Sequence, residues 1–398
     1  MNHRNASLPN RRQTLLALMG TALLPSCGGG GSNIAGLSSG GTGSFTTGTI
    51  GGLGSVIVNG IRYDDSTANV TIDGVTSTAA QLQLGMVVRI QGSGVTPAAS
   101  AGALATATAR QIACGSEWKG QAAQVNTTAS TFTLLGQTVK VLTTTVFSGG
   151  RFDGTLDGRY VEVYGFVNAN DGSLQASRVE VSASAPANYR LSGIVTNLTA
   201  TTFLLGSALI NHASASKPAS LQNGQFVRVK LQTAQQGGAW LADEVKAGET
   251  SDGLSNDDEA KIKGTITAFT SSSLFSVNGV AVDASRTASP NGLALGVRVE
   301  VEGVIRNGVV IAARVAIETD AAVEAEKFEF HGMISALNTT NKTFVIRGYT
   351  VRYIDGAGTN ATVFDIGTAV WADGLNVEVK AVLDNSGQLL ATGIKLDI

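Results

Sequence analysis

The chain carries few residues suited to catalysis. Two cysteines, three histidines and three tryptophans are spread over 398 residues. No Cys/His cluster has the spacing of a zinc site, and no G-x-S-x-G elbow precedes a helical pattern. Beyond residue 26 the histidines are His212, in the polar stretch "NHASASKP", and His331, which directly precedes a glycine and reads as an exposed strand start. Neither is expected to be catalytic or to hold a metal, and no cofactor is expected. Asp252, Asp257, Asp258 and Glu259 share one acidic stretch. Their oxygens suit Ca2+, but the D-x-[DN]-x-[DN]-G spacing of an EF-hand loop is missing, so a solvated linker is expected; Asp64-Asp65 is a weaker pair still. Trp118, Trp240 and Trp371 could stack sugars, yet they fall in different sequence contexts and read as separate core or rim residues.

The clearest chemical setting belongs to Cys27. Arg4, Arg11 and Arg12 precede an uncharged run, apolar from Leu15 to Leu24. About ten apolar residues cannot cross a hydrocarbon core, which needs about 20 in a helix. Positive charge, a short apolar run and small residues make the plan of an export signal. "Leu24-Pro25-Ser26-Cys27" resembles the lipobox of bacterial lipoproteins, with Pro25 where Ala or Ser is commoner. The resemblance implies that the Cys27 thiol takes a diacylglycerol, that the chain is cut just before it, and that the new amino group is acylated. Two or more acyl chains anchor firmly where one binds only marginally. "Arg11-Arg12-Gln13-Thr14-Leu15-Leu16" is also similar to a twin-arginine signal, with Thr14 where a bulky apolar residue is preferred, so Sec export stays equally open. With Cys27 consumed, Cys114 has no intramolecular partner and is expected to be a small buried hydrophobe.

The remainder is repetitive. One block recurs five times: Gly85 to Gly92, Gly158 to Gly165, Gly224 to Leu231, Gly296 to Gly303 and Gly374 to Ala381, of the form G-x-x-V-x-V-x-G. Each is followed by an Ala-x-x-[Val/Ile] strand and preceded by an opening glycine: Gly48, Gly120, Gly193, Gly264 or Gly332. Ten to twelve residues after the opening glycine stands Phe132, Phe203, Phe275 or Phe344; the first copy has only Val56 and Ile57 there. In "VRVEVEG" the valines share one face, and Arg298, Glu300 and Glu302 the other. The residue after the first motif valine is Arg89, Glu162, Arg228, Glu300 or Glu378. A charge that changes sign between copies suits a solvated outer face. Asn59-Gly60, Asn278-Gly279 and Asn307-Gly308 fit type I′ hairpin turns.

Glycine without proline, mixed with β-branched residues, reads as short strands joined by tight turns. So few strands with one apolar face do best by closing. The expectation is an all-β tandem array of about five small OB-like or split β-barrels behind a signal peptide (1–26) and a Gly/Ser-rich tether (27–45). The repeats span 46–113, 117–181, 189–246, 261–318 and 328–398, with an acidic, exposed linker at 247–260 and a linker able to form a helical turn at 319–327. The repeat pattern, clearest in Lys261–Glu318, resembles the repeated DUF5666 domain of bacterial envelope lipoproteins, a family without an established activity.

The net charge is −2, and the arginine-bearing leader leaves the rest more acidic still. Nucleic-acid binders need a basic face, so nucleic acid is not an expected partner. The pattern therefore reads as a non-enzymatic, lipid-anchored protein of the bacterial cell envelope, facing the periplasm or cell surface from the outer membrane. It would act as a binding or spacer module for an envelope protein or a polysaccharide. The alternative is an envelope polysaccharide hydrolase sited in one divergent repeat or between repeats, because glycosidase carboxylates can lie far apart in sequence.

Overall fold

The computed structural model describes residues 43–100, 103–248, 254–319, 327–356, 358 and 361–397. Cys27, the signal, residues 28–42 of the tether, Asp252 and most of the 319–327 linker lie outside them. Every repeat contains a five-stranded barrel of the same order; the first adds a hairpin (Asn69–Ile72 and Val75–Ser77) and the fifth a short strand (Val363–Asp365), each beside the last strand. In the fourth, the first strand (Glu259–Ser271) pairs with the second (Leu274–Val277) and the second with the third (Val280–Asp283). The third runs parallel to the fifth (Val309–Ile317), which pairs with the fourth (Arg298–Arg306), and the fourth returns to the first. The parallel third–fifth contact recurs in all five barrels. This is OB-like Greek-key closure, in which the outer edge of each half of the first strand is what stays open within a barrel.

The recurring residues serve this closure. The first strand pairs with the fourth up to one residue past the opening glycine, then passes to the second: Thr265 still faces Arg298, whereas Ile266 faces Val277. At the handover Ile266 exchanges backbone hydrogen bonds with the motif start, accepting from Gly296 N (2.8 Å) and donating to Val297 O (2.9 Å). Ile50, Ala122, Val195 and Ile334 do the same in the other barrels. The first motif glycine has φ between 77° and 87° in all five copies, a conformation that penalises a Cβ.

The opening glycine answers a different need. The turn between second and third strands folds back over it, and a Cβ on Gly264 would stand 2.1 Å from Asn278 Nδ2. Asn278 Nδ2 donates to Lys263 O (3.3 Å), and its Oδ1 accepts from Thr265 N (3.1 Å). Asn59 donates likewise to Thr47 O (2.8 Å), and Arg347 Nε to His331 O (2.7 Å). The turn side chain thus satisfies backbone groups that the bend leaves without a ladder partner. Leu135-Gly136 and Arg347-Gly348 occupy the same left-handed turn, which their sequences did not advertise.

The apparent lack of a phenylalanine in the first repeat is a swap across strands. Phe132, Phe203, Phe275 and Phe344 face Val139, Ile210, Val282 and Val351. In the first barrel Val56 faces the fully buried Tyr63, so one aromatic and one β-branched residue are kept.

The barrels do not hang separately along the chain. The first strand of the first barrel (Ser44–Leu53) pairs in parallel with that of the fourth, from Ser44↔Glu259 to Thr47↔Ile262, and then with that of the fifth (Phe328–Met333). It therefore begins at Ser44, inside the segment expected as tether, and Phe45 packs into the fourth barrel's core. The first and fifth barrels share one core and the second and third another. Arg178 of the second barrel, buried, donates to Leu84 O of the first (3.1 Å) and pairs with Glu180 (2.8 Å). Cys114 is buried in the shared core of the first and fifth barrels and forms no disulfide.

Replacing Gly264 with Ala should lower the thermal midpoint of the chain, corresponding to about 1–3 kcal/mol of overpacking. Adding Asn278→Gly, which frees the space and keeps the left-handed turn, should recover part of the loss in the same melting experiment.

Candidate functional site

The charged motif residues do not line a solvated face. Each stands directly across from the residue before the opening glycine: Arg89 from Thr47, Glu162 from Lys119, Arg228 from Ser192, Glu300 from Lys263 and Glu378 from His331. The sign follows the partner. An acid faces a cationic or titratable base, and an arginine faces a hydroxyl. Lys119–Glu162 (2.9 Å) and Lys263–Glu300 (3.3 Å) are ion pairs, and Arg228 reaches Glu117 of the second barrel (2.7 Å).

In the fourth barrel the cluster is almost fully enclosed. Lys261, 2% exposed, lies 3.0 Å from Glu302 and 3.8 Å from Glu300. Burial alone would raise the Glu300 carboxyl, but Lys261, Lys263 and Arg314 outweigh it and hold the pKa below its ordinary 4.5. At Glu162 burial likewise raises the pKa, but Lys119, Ser116 and Arg190 outweigh it and hold it below the ordinary value.

The acidic stretch is also not a free linker. Asp258 and Glu259 are buried where the fourth barrel's first strand begins, because that strand continues the ladder from Ser44. Burial raises the Glu259 pKa. Exposed Asp257 is tied to Arg306. Asp64 binds its own turn at Ser66 N (3.1 Å), and half-buried Asp65 is raised by burial.

The tryptophans serve separate places. Trp118 is buried and donates to Ser192 O (2.9 Å), joining second and third barrels; Trp240 packs edge-on against Tyr189; Trp371 meets Phe344, Tyr353 and Phe364. They form no common platform. His212 is buried against Phe203, with ring centroids 5.2 Å apart, instead of lying in an open polar loop. Burial lowers its pKa.

The fifth barrel brings histidine, carboxylate and lysine side chains together. His331, expected at an exposed strand start, is 4% exposed. Its strand is covered because the first barrel's first strand pairs alongside it. Its Nε2 lies 2.8 Å from Glu329 Oε1 and its Nδ1 3.1 Å from Asp397 Oδ1. Burial disfavours the imidazolium, but these two hydrogen bonds outweigh it and raise the pKa above 6.5. Glu329 is held low despite burial by His331 and Lys380. Glu378 pairs with Lys395 (2.8 Å) and Lys380 (3.6 Å). Donor atoms of Glu329, His331 and Glu378 all lie within 4.8 Å of one another.

An open groove of about 340 Å3 runs beside Glu378, Lys380 and Lys395. A groove of about 380 Å3 borders the second barrel's Lys119–Glu162 pair in the same way. Sequence reasoning missed Glu329, Glu378 and Asp397 as neighbours of His331. The i, i+2 spacing of Glu329 and His331 was the available signal; Asp397 arrives only through the closure of the barrel.

Residues 119–180, 263–316 and 331–395 match the family model described as Domain of unknown function (DUF5666). The chain carries tandem DUF5666 repeats. The matches fall on the second, fourth and fifth barrels, while the first and third close with the same strand order. No curated protein and no solved structure matches the chain. The DUF5666 motif residues map onto bends, turns and cross-strand contacts, and the site in the fifth barrel is built from residues the shared motif leaves variable.

The depressed Glu300 pKa contributes stability that is present above the unfolded value near 4.5 and is lost as pH falls through the lower folded value. Glu300→Gln should therefore melt earlier than the parent at pH 7. The two should converge as the pH falls through the lowered folded value, where the parent carboxylate itself becomes protonated.

Proposed function

We propose that the chain is exported, anchored at the cell envelope through lipidated Cys27, and presents its five barrels as one binding body. The observation that carries this reading is the pairing of the first barrel's first strand with those of the fourth and fifth. Barrels folded back on one another suit a presented surface better than an extended spacer. Every recurring residue serves closure or packing, which supports a binding role over a reaction shared by the repeats. The occupant is an envelope protein or a polysaccharide, and the grooves beside the second and fifth barrels offer it polar, half-buried side chains.

In living cells, palmitate should label the parent, and the parent should sediment with membranes. Cys27→Ser should lose both properties. In-cell crosslinking should then capture an envelope component with the anchored parent and much less with the released variant. Labelling that persists in Cys27→Ser would overturn the anchor, and no capture above background would remove the binding role.

A further inference from the structure

The five barrels provide their own comparison at the position before the opening glycine. There the second and fourth barrels place a lysine across from the motif acid, giving ion pairs. The fifth places His331 across from Glu378 and adds Glu329 two residues earlier on the same face. Exchanging an ammonium, which can only donate, for an imidazole, whose unprotonated nitrogen accepts, turns a salt-bridge position into a set of donor atoms. We propose that Glu329, His331 and Glu378 form a zinc-binding site, with Asp397 as the residue that orients the histidine.

The geometry suits the ion. A tetrahedral Zn2+ with bonds of 2.0–2.1 Å needs its donors about 3.3 Å apart. His331 Nε2 and Glu329 Oε1 stand 2.8 Å apart, and the whole set lies within 4.8 Å, so small side-chain rotations reach that spacing. Asp397 takes the Nδ1 side of the ring at 3.1 Å. A carboxylate there fixes the tautomer that leaves Nε2 free to ligate, the usual support of a metal-bound histidine. Mixed imidazole and carboxylate donors favour zinc over calcium or magnesium.

Two lysines compete with the ion. Lys395 and Lys380 neutralise the carboxylates, at 2.8 Å and 3.6 Å from Glu378, and both are over a third exposed at the groove. Their long side chains can turn into solvent when zinc takes the oxygens. Three protein ligands leave a fourth position for water or for an anionic group of a bound partner. The site goes beyond the anchored binding body and does not depend on it.

The test is zinc titration of the purified full-length chain after chelator treatment, with a chromophoric zinc indicator as competitor. One equivalent of Zn2+ should bind. Glu378→Gln and His331→Gln should each weaken it at least tenfold, and Asp397→Asn about 10–100-fold. Lys395→Ala should tighten it, because it removes a competing cation; a purely structural ion cluster would lose stability in that variant and gain no affinity. Failure of the parent to bind one equivalent, or binding unchanged in both Glu378→Gln and His331→Gln, would overturn the assignment. Neither result bears on membrane anchoring, which Cys27→Ser reports separately.

Discussion

Each barrel depends on a bend in its first strand. That strand must hydrogen-bond to the fourth strand along its first half and to the second along its remainder. The changeover strips the backbone of ladder partners on either side of the opening glycine. The turn side chain laid over Gly48, Gly264 or Gly332 supplies the missing partner, and the positive-φ motif glycine anchors the residue beyond the bend. Glycine at the bend is therefore a demand of close approach at Gly48, Gly264 and Gly332, whereas Gly120 and Gly193 have only leucine side chains near them, at 3.3 Å and 3.7 Å from a Cβ.

The same bend explains why the barrels associate. A strand that serves one neighbour per half leaves its other edge unpaired in each half, and open edges seek strands. The first barrel's first strand meets this by pairing with the fourth barrel early and the fifth barrel late. The repeat that diverges most in sequence is thus the one whose first strand pairs with those of two other barrels, and its departure at Phe45, packed into the fourth barrel's core, fits that role.

Charge placement follows from the association. Once outer faces meet, the residue beside the motif valine is no longer in water, and a charge there needs a partner. In the five barrels the residue facing it across the strands changes with it: lysine with glutamate, hydroxyl with arginine, histidine with glutamate. Sign changes that suit a solvated face when one strand is read alone are, across two strands, compensated pairs. Lys261, Glu300 and Glu302 are paired with one another out of water, Lys261 standing 3.0 Å from Glu302 and 3.8 Å from Glu300.

Local patterning was enough to reveal the closed barrels, their number, the hairpins at Asn59-Gly60 and Asn278-Gly279, and the core positions Phe132, Phe203, Phe275 and Phe344. These rest on period-two alternation, left-handed turns and aromatic volume, which neighbouring residues specify by themselves. The tertiary structure decided what surrounds each barrel: the burial of Asp258, Glu259 and His331, the strand role of Ser44 and Phe45, and the meeting of Glu329, His331, Glu378 and Asp397. Those depend on contacts between strands tens to hundreds of residues apart, such as Ser44 with Glu259. Alternation says which way a side chain points from its own strand. Whether it then meets water or another barrel is settled only when the edges left by the bent strands find one another.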